Sequence, residues 1–149
     1  MIKFWNYLFS TILICFFIAS CSSSFHNQNY EKLQGSWLIY EFEYIDENQD
    51  SIIDLTGDER YGSILFEKHN YIYFSKRENR KVKNVGATYL IFKEKDTLKI
   101  KIEKSEDERI EGIYDLYIDT IQENELQQYL IQISLDKENT YISAFRWKN

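Results

Sequence analysis

The chain has 149 residues, with 18 Lys plus Arg against 24 Asp plus Glu for a formal charge of −6, and 44% of it is hydrophobic. That is material for one domain, and 17% aromatic residues exclude a disordered chain, which lacks the apolar side chains needed to offset ordering entropy. Twelve Tyr, ten Phe, few Gly and no Pro favour strands, and the acidic balance excludes a nucleic-acid partner, whose phosphates need a basic footprint.

The chain opens with one charge, Lys3, followed by the uncharged run Leu8–Ala19. Twelve apolar residues are too few to cross a bilayer, which takes roughly 20, and match the h-region of a secretory signal. Ile18-Ala19-Ser20-Cys21 closes the run and resembles the bacterial lipobox, an aliphatic and two small residues before a cysteine. The resemblance implies cleavage before Cys21 and a lipid on its sulfur, palmitate among the acyl groups. Residues 1–20 are then a lipoprotein signal peptide, and Cys15 and Lys3 leave with it, so the charge becomes −7. With Cys21 lipidated, the folded part holds no thiol for a disulfide, a metal or catalysis. A multi-chain anchor holds permanently, whereas a single acyl chain binds reversibly. Residues 21–29 form a polar, flexible tether and residues 30–149 the domain.

After a single helical turn expected over Asn29–Gln34, eight runs alternate with period two: Gly35–Ile45, Tyr61–Phe66, Tyr71–Ser75, Gly86–Phe92, Thr97–Glu103, Ile110–Thr120, Leu126–Leu135 and Thr140–Lys148. In the fifth, Leu98, Ile100 and Ile102 alternate with Lys99, Lys101 and Glu103, as a strand with one buried and one wet face requires. Short polar linkers, Glu67–Asn70, Lys93–Asp96 and Asp136–Asn139, read as hairpin connections with Asn or Asp available for a left-handed residue. Joining strand eight to strand one removes both free edges, so the expected fold is all-β, an eight-stranded antiparallel up-and-down barrel.

Within the first run, Glu41 and Glu43 would face inward if Trp37 and Ile39 do. Either a bulge after Ile39 flips the phase and leaves Tyr40, Phe42 and Tyr44 as core, or the glutamates line a candidate ligand mouth; the cost of burying unpaired charge favours the bulge. The next segment, Asp46-x-Asn48-x-Asp50 with Asp54, matches the first half of a calcium loop. Its second half departs: position six is Ser51 rather than Gly and position twelve is Gly57 rather than Glu, so an acidic hairpin loop competes with a metal site. Lys76, Arg77, Arg80, Lys81 and Lys83 cluster after Ser75, either to meet anionic head groups or as a solvated loop balanced by Glu78 and by Ser105–Glu108. His26 and His69 stand alone, and no metal, nucleophile or phosphate-loop motif accompanies them, so no enzyme and no cofactor are expected.

Gly35-Ser36-Trp37 at the head of the first strand and Phe145-Arg146-Trp147 in the last resemble the lipocalins and their calycin superfamily. The resemblance implies a lipocalin-like barrel whose base is closed by Trp37 with Arg146 across the indole and Gly35 at the tight turn in. It covers Leu33 to about Phe74 and the last strand, and extends to small bacterial lipocalin-like domains. The expectation is a monomeric lipoprotein in the bacterial cell envelope, anchored through Cys21 in the outer membrane and facing the periplasm. It would bind a small apolar or amphipathic molecule in the barrel; the alternative is a ligand-free filled barrel acting as an envelope interaction or accessory protein.

Overall fold

A computed structural model of the chain describes residues 28–46, 51–56, 60–123 and 128–148. Residues 28–33 are helical, and no described helix is long and apolar enough to cross a membrane. Cys21 and its lipobox lie outside the described residues.

From Gly35 onward the chain is one antiparallel sheet of nine strands: β1 Gly35–Asp46, β2 Ser51–Asp54, β3 Tyr61–Phe66, β4 Tyr71–Glu78, β5 Lys81–Glu94, β6 Thr97–Glu103, β7 Gly112–Glu123, β8 Gln128–Lys137 and β9 Thr140–Trp147. Its order is β2-β1-β3-β4-β5-β6-β7-β8-β9, and β1 also pairs with β9 through Leu38↔Phe145 to Tyr44↔Thr140, which closes the sheet. The closed barrel has eight strands, β1 and β3–β9. β2 is additional: it shares an edge of β1 with β3, pairing Glu43–Asp46 while β3 pairs Gly35–Leu38.

Closure follows from the period-two pattern expected for eight strands. β3 and β6 have the expected limits, but three features differ. The Asp46–Arg60 connection, expected to be loop, contains β2, whose adjacent Ile52 and Ile53 give no apolar–polar alternation to read in so short a strand. The basic loop after Ser75 is a hairpin: β4 and β5 stay paired to Glu78↔Lys81, around left-handed Asn79 and Arg80. Ile110, expected to open the sixth strand, sits in a 3-10 turn at Glu108–Ile110 and is fully buried.

The hairpin connections are as short as expected; Asn70 takes a left-handed position as expected, and elsewhere other residues do or none does. His69 and Asn70 take such positions in the Lys68–Asn70 turn and Lys95 takes one between β5 and β6; the β8–β9 connection has none.

Candidate functional site

At the base of the barrel, Trp37 is fully buried and the Arg146 guanidinium lies 4.3 Å from its ring centroid. Arg146 also donates to the Gln34 carbonyl, and burial pulls its pKa down from the ordinary arginine value. Gly35 has φ +113, a backbone position that favours glycine, and a Cβ there would press on Arg146 Nη1 at 3.0 Å. The three residues of the base motif therefore meet. Beside them Ile131, Arg146, Trp147 and Lys148 line a hollow of about 310 Å³.

Along β1 the register shifts between Ile39 and Glu41, which is the bulge the glutamate conflict called for. Beyond it Phe42 pairs with Ile142 and is fully buried, and Tyr44 pairs with Thr140, half-buried. Glu41 and Glu43 pair with Ser143 and Tyr141 and thus share the outer face, so they line no mouth. Tyr40 departs from the expected core set. It is 48% exposed because it follows inward-facing Ile39 and the phase flips only after it, and its hydroxyl accepts from Ser143 Oγ at 2.7 Å and Gln132 Nε2 at 2.6 Å.

At the other end of the barrel the β6–β7 connection is tied to the strands. Tyr61, buried among Phe42 and Phe74, donates to Asp107 Oδ2 at 2.5 Å, and Arg109 grips the same carboxylate through Nε at 2.8 Å and Nη2 at 2.5 Å. Burial alone would push Asp107 up; the Arg109 and Tyr61 hydrogen bonds outweigh it and hold the carboxyl at about 2. Burial, and then Asp107, push the Tyr61 hydroxyl well above its usual value. Lys137 Nζ donates to the carbonyls of Arg109 (3.0 Å) and Glu111 (2.6 Å) and rests 5.1 Å from the Tyr114 ring centroid; burial draws its pKa down. Tyr114 donates to the Ile110 carbonyl at 2.8 Å. These groups tie the connection to β3, β7 and β8, and Ile110 within it is fully buried. Between the two ends Trp37, Phe42, Tyr61, Phe66, Phe74 and Tyr114 each lie below 2% exposure.

The calcium reading does not assemble among the described residues. Asp46 pairs opposite Ser51 and Asp54 opposite Glu43, at the two ends of the β1–β2 ladder. Asp54 accepts from Thr56 N (2.8 Å) and Oγ1 (2.7 Å), which lower its pKa, and stands 3.6 Å from Arg60. Asn48 and Asp50 lie outside the described residues. Described residues contain no group of three or more metal-ligating side chains.

The basic cluster divides along its hairpin. Lys83 pairs with Glu106 at 3.0 Å, so the acidic segment named as its counterweight supplies one partner. Lys76 Nζ instead lies 5.8 Å from the Tyr61 ring centroid. Lys76 and Arg77, with Arg60, line a cleft of about 380 Å³ in the barrel wall, floored by Ile39, Tyr61 and Gly62. Arg60 carried no signal in the sequence; its place here, like that of Gly62, comes from the gap between β1 and β3. On the outside, Leu38, Tyr40, Phe145 and Trp147 form an apolar strip across β1 and β9, with Tyr40 and Phe145 rings 5.9 Å apart.

No protein-family model matches the chain, and neither curated proteins nor solved structures give a match.

Proposed function

We propose that the chain is a lipid-anchored envelope protein, held through Cys21 in the outer membrane on its periplasmic side, whose filled barrel works through its outer surface as an interaction or accessory module. The packed interior carries this reading. An eight-stranded barrel is the size at which the inside is either filled by side chains or left with room for one small ligand. Here three fully buried phenylalanines, two tyrosines and Trp37 occupy it, with Arg146 over Trp37 at one end and Asp107 on Tyr61 at the other. That favours surface work over storage of a small apolar molecule in the barrel.

The outer strip suits contact with a protein. Leu38 is 52% exposed and Trp147 47%, and Tyr40 is fixed by its hydroxyl partners. Aromatic residues of this kind are enriched at the centres of interfaces, where a rigid ring buries much area at little entropic cost.

Two measurements test the reading. Wild-type protein should fractionate with outer membranes and require detergent for release, whereas Cys21→Ser should appear in the soluble fraction; membrane retention of the variant refutes the anchor. Native mass spectrometry of the protein extracted from its own membranes should then show no uncharged apolar molecule held at stoichiometry. A stoichiometric apolar small molecule in the spectrum would restore the barrel-ligand function.

A further inference from the structure

The barrel wall has a gap at its seam. Pairing of β1 with β3 stops at Leu38↔Ser63, and pairing of β1 with β2 starts only at Glu43↔Asp54. Both flanking strands are bulged beside the gap, β1 between Ile39 and Glu41 and β3 between Tyr61 and Ser63. Gly62 lies in the second bulge, and a Cβ built on it meets nothing within 4 Å. The result is a cleft of about 380 Å³, within the range of roughly 300–1,000 Å³ typical of small-molecule sites.

Its lining is unlike the rest of the surface. On a chain of formal charge −6, three cations converge: Arg60, Lys76 and Arg77, the Arg77 amide donating to the Arg60 carbonyl at 2.9 Å. Lys76 rests over the Tyr61 ring, and among the described residues no carboxylate lies within salt-bridge distance of it. Arg60 has a carboxylate at 3.6 Å, Asp54, with both side chains well exposed, a pair that water and salt screen. Beneath the cations the floor is apolar, with Ile39 and the Tyr61 ring both buried.

We propose that this cleft binds a small amphipathic anion, a phosphate or carboxylate head against Arg60, Lys76 and Arg77 with an apolar body on Ile39 and Tyr61. Guanidinium forks suit planar and tetrahedral oxyanions, and a partly desolvated floor strengthens the charge contacts above it. The site opens in the wall between β1 and β3 and shares only Ile39 and Tyr61 with the packed interior.

Isothermal titration of the full-length protein in uncharged detergent tests this, with phenyl phosphate as probe, inorganic phosphate for the head alone and benzyl alcohol for the body alone. Phenyl phosphate should bind at least about tenfold more tightly than either fragment, and more weakly as salt rises. Gly62→Phe, which fills open space at an unstrained backbone position, should abolish binding without lowering the melting temperature. Lys76→Gln should weaken it about tenfold, the size of one lost charge-assisted bond. Absence of wild-type binding, equal affinity for inorganic and phenyl phosphate, or binding unchanged in both variants overturns the proposal. An apolar adduct in native mass spectra that persists in Gly62→Phe would refute the filled-barrel function and leave the cleft untouched.

Discussion

The Arg146 guanidinium stacks 4.3 Å from the Trp37 ring centroid while donating to the carbonyl of Gln34, so one side chain both covers the buried indole and holds the chain where it enters β1. Gly35 is the third part of the arrangement, because a side chain there would strike Arg146 Nη1. Arg146→Met should lower stability to urea by about 2 kcal/mol, from the lost cation–π contact and hydrogen bond. Gly35→Ala should cost about 1–3 kcal/mol through its strained backbone and the clash. The double variant should cost less than the sum by more than about 0.5 kcal/mol, since removing Arg146 removes the clash; strict additivity would separate the two residues.

Asp107 makes stability depend on pH. Its folded pKa of about 2 is below the unfolded carboxylate value of 3.8. A depressed carboxylate contributes stability that is fully present above the unfolded value and is lost as pH falls through the folded one. Urea midpoints should therefore be flat from pH 6 to 5 and fall between about pH 4 and 2, by about 1–2 kcal/mol for this group after allowing for its partial exposure. Asp107→Asn should be less stable at pH 6 and show a shallower acid decline than wild type. Equal declines would assign the acid response to other carboxylates.

How much of this was legible in the sequence differs by element. Thr97–Glu103 announced its limits because its lysines and isoleucines alternate without a break, and the bulge in β1 was legible from a conflict between buried aromatics and glutamates. Tyr40 was not, because its outward turn is fixed by Ser143 and Gln132, more than 90 residues away in the chain. The hairpin beyond Ser75 was hidden for another reason. Its strands project past the packed core, with Lys76 opposite Lys83 and Arg77 opposite Val82, so no apolar face marks the alternation. Tyr61 read as one more strand aromatic, and only the fold brings its hydroxyl to Asp107, 46 positions on. The base motif Gly35, Trp37 and Arg146 was legible because residue types rather than spacing carry it.

Lys137 acts as a clasp on the β6–β7 connection. Besides its two carbonyl partners, its aliphatic stem lies so close to Gly112 that a Cβ there would stand 3.1 Å from Cδ, at φ +140. Lys137→Met keeps the stem and removes the ammonium, leaving the Arg109 and Glu111 carbonyls without that donor, at about 1–3 kcal/mol. Hydrogen exchange should report faster opening of Lys104–Glu111, with protection in β3 and β4 retained. Uniform loss of protection through the barrel would mean that the clasp supports the whole fold rather than this connection.

The turn at Asn79-Arg80 offers a change in the opposite direction. Both residues have positive φ, 51 and 64, between the paired ends Glu78 and Lys81, the two-residue geometry that matches strand twist and favours Asn followed by Gly. Asn79 tolerates the left-handed region, but Arg80 is held there at a cost of about 1–2 kcal/mol. Arg80→Gly relieves that strain, partly offset by the freer unfolded chain, so stability should rise by about 0.5–1 kcal/mol, read as a higher urea midpoint with unchanged slope. Asn79→Val should lose at least about 1 kcal/mol, because a β-branched side chain is poorly tolerated at positive φ. Arg80 does not line the seam cleft, so Arg80→Gly should leave phenyl phosphate affinity as it is. A fall in that affinity would show that the hairpin tip, and not only the wall below it, contributes cations to the site.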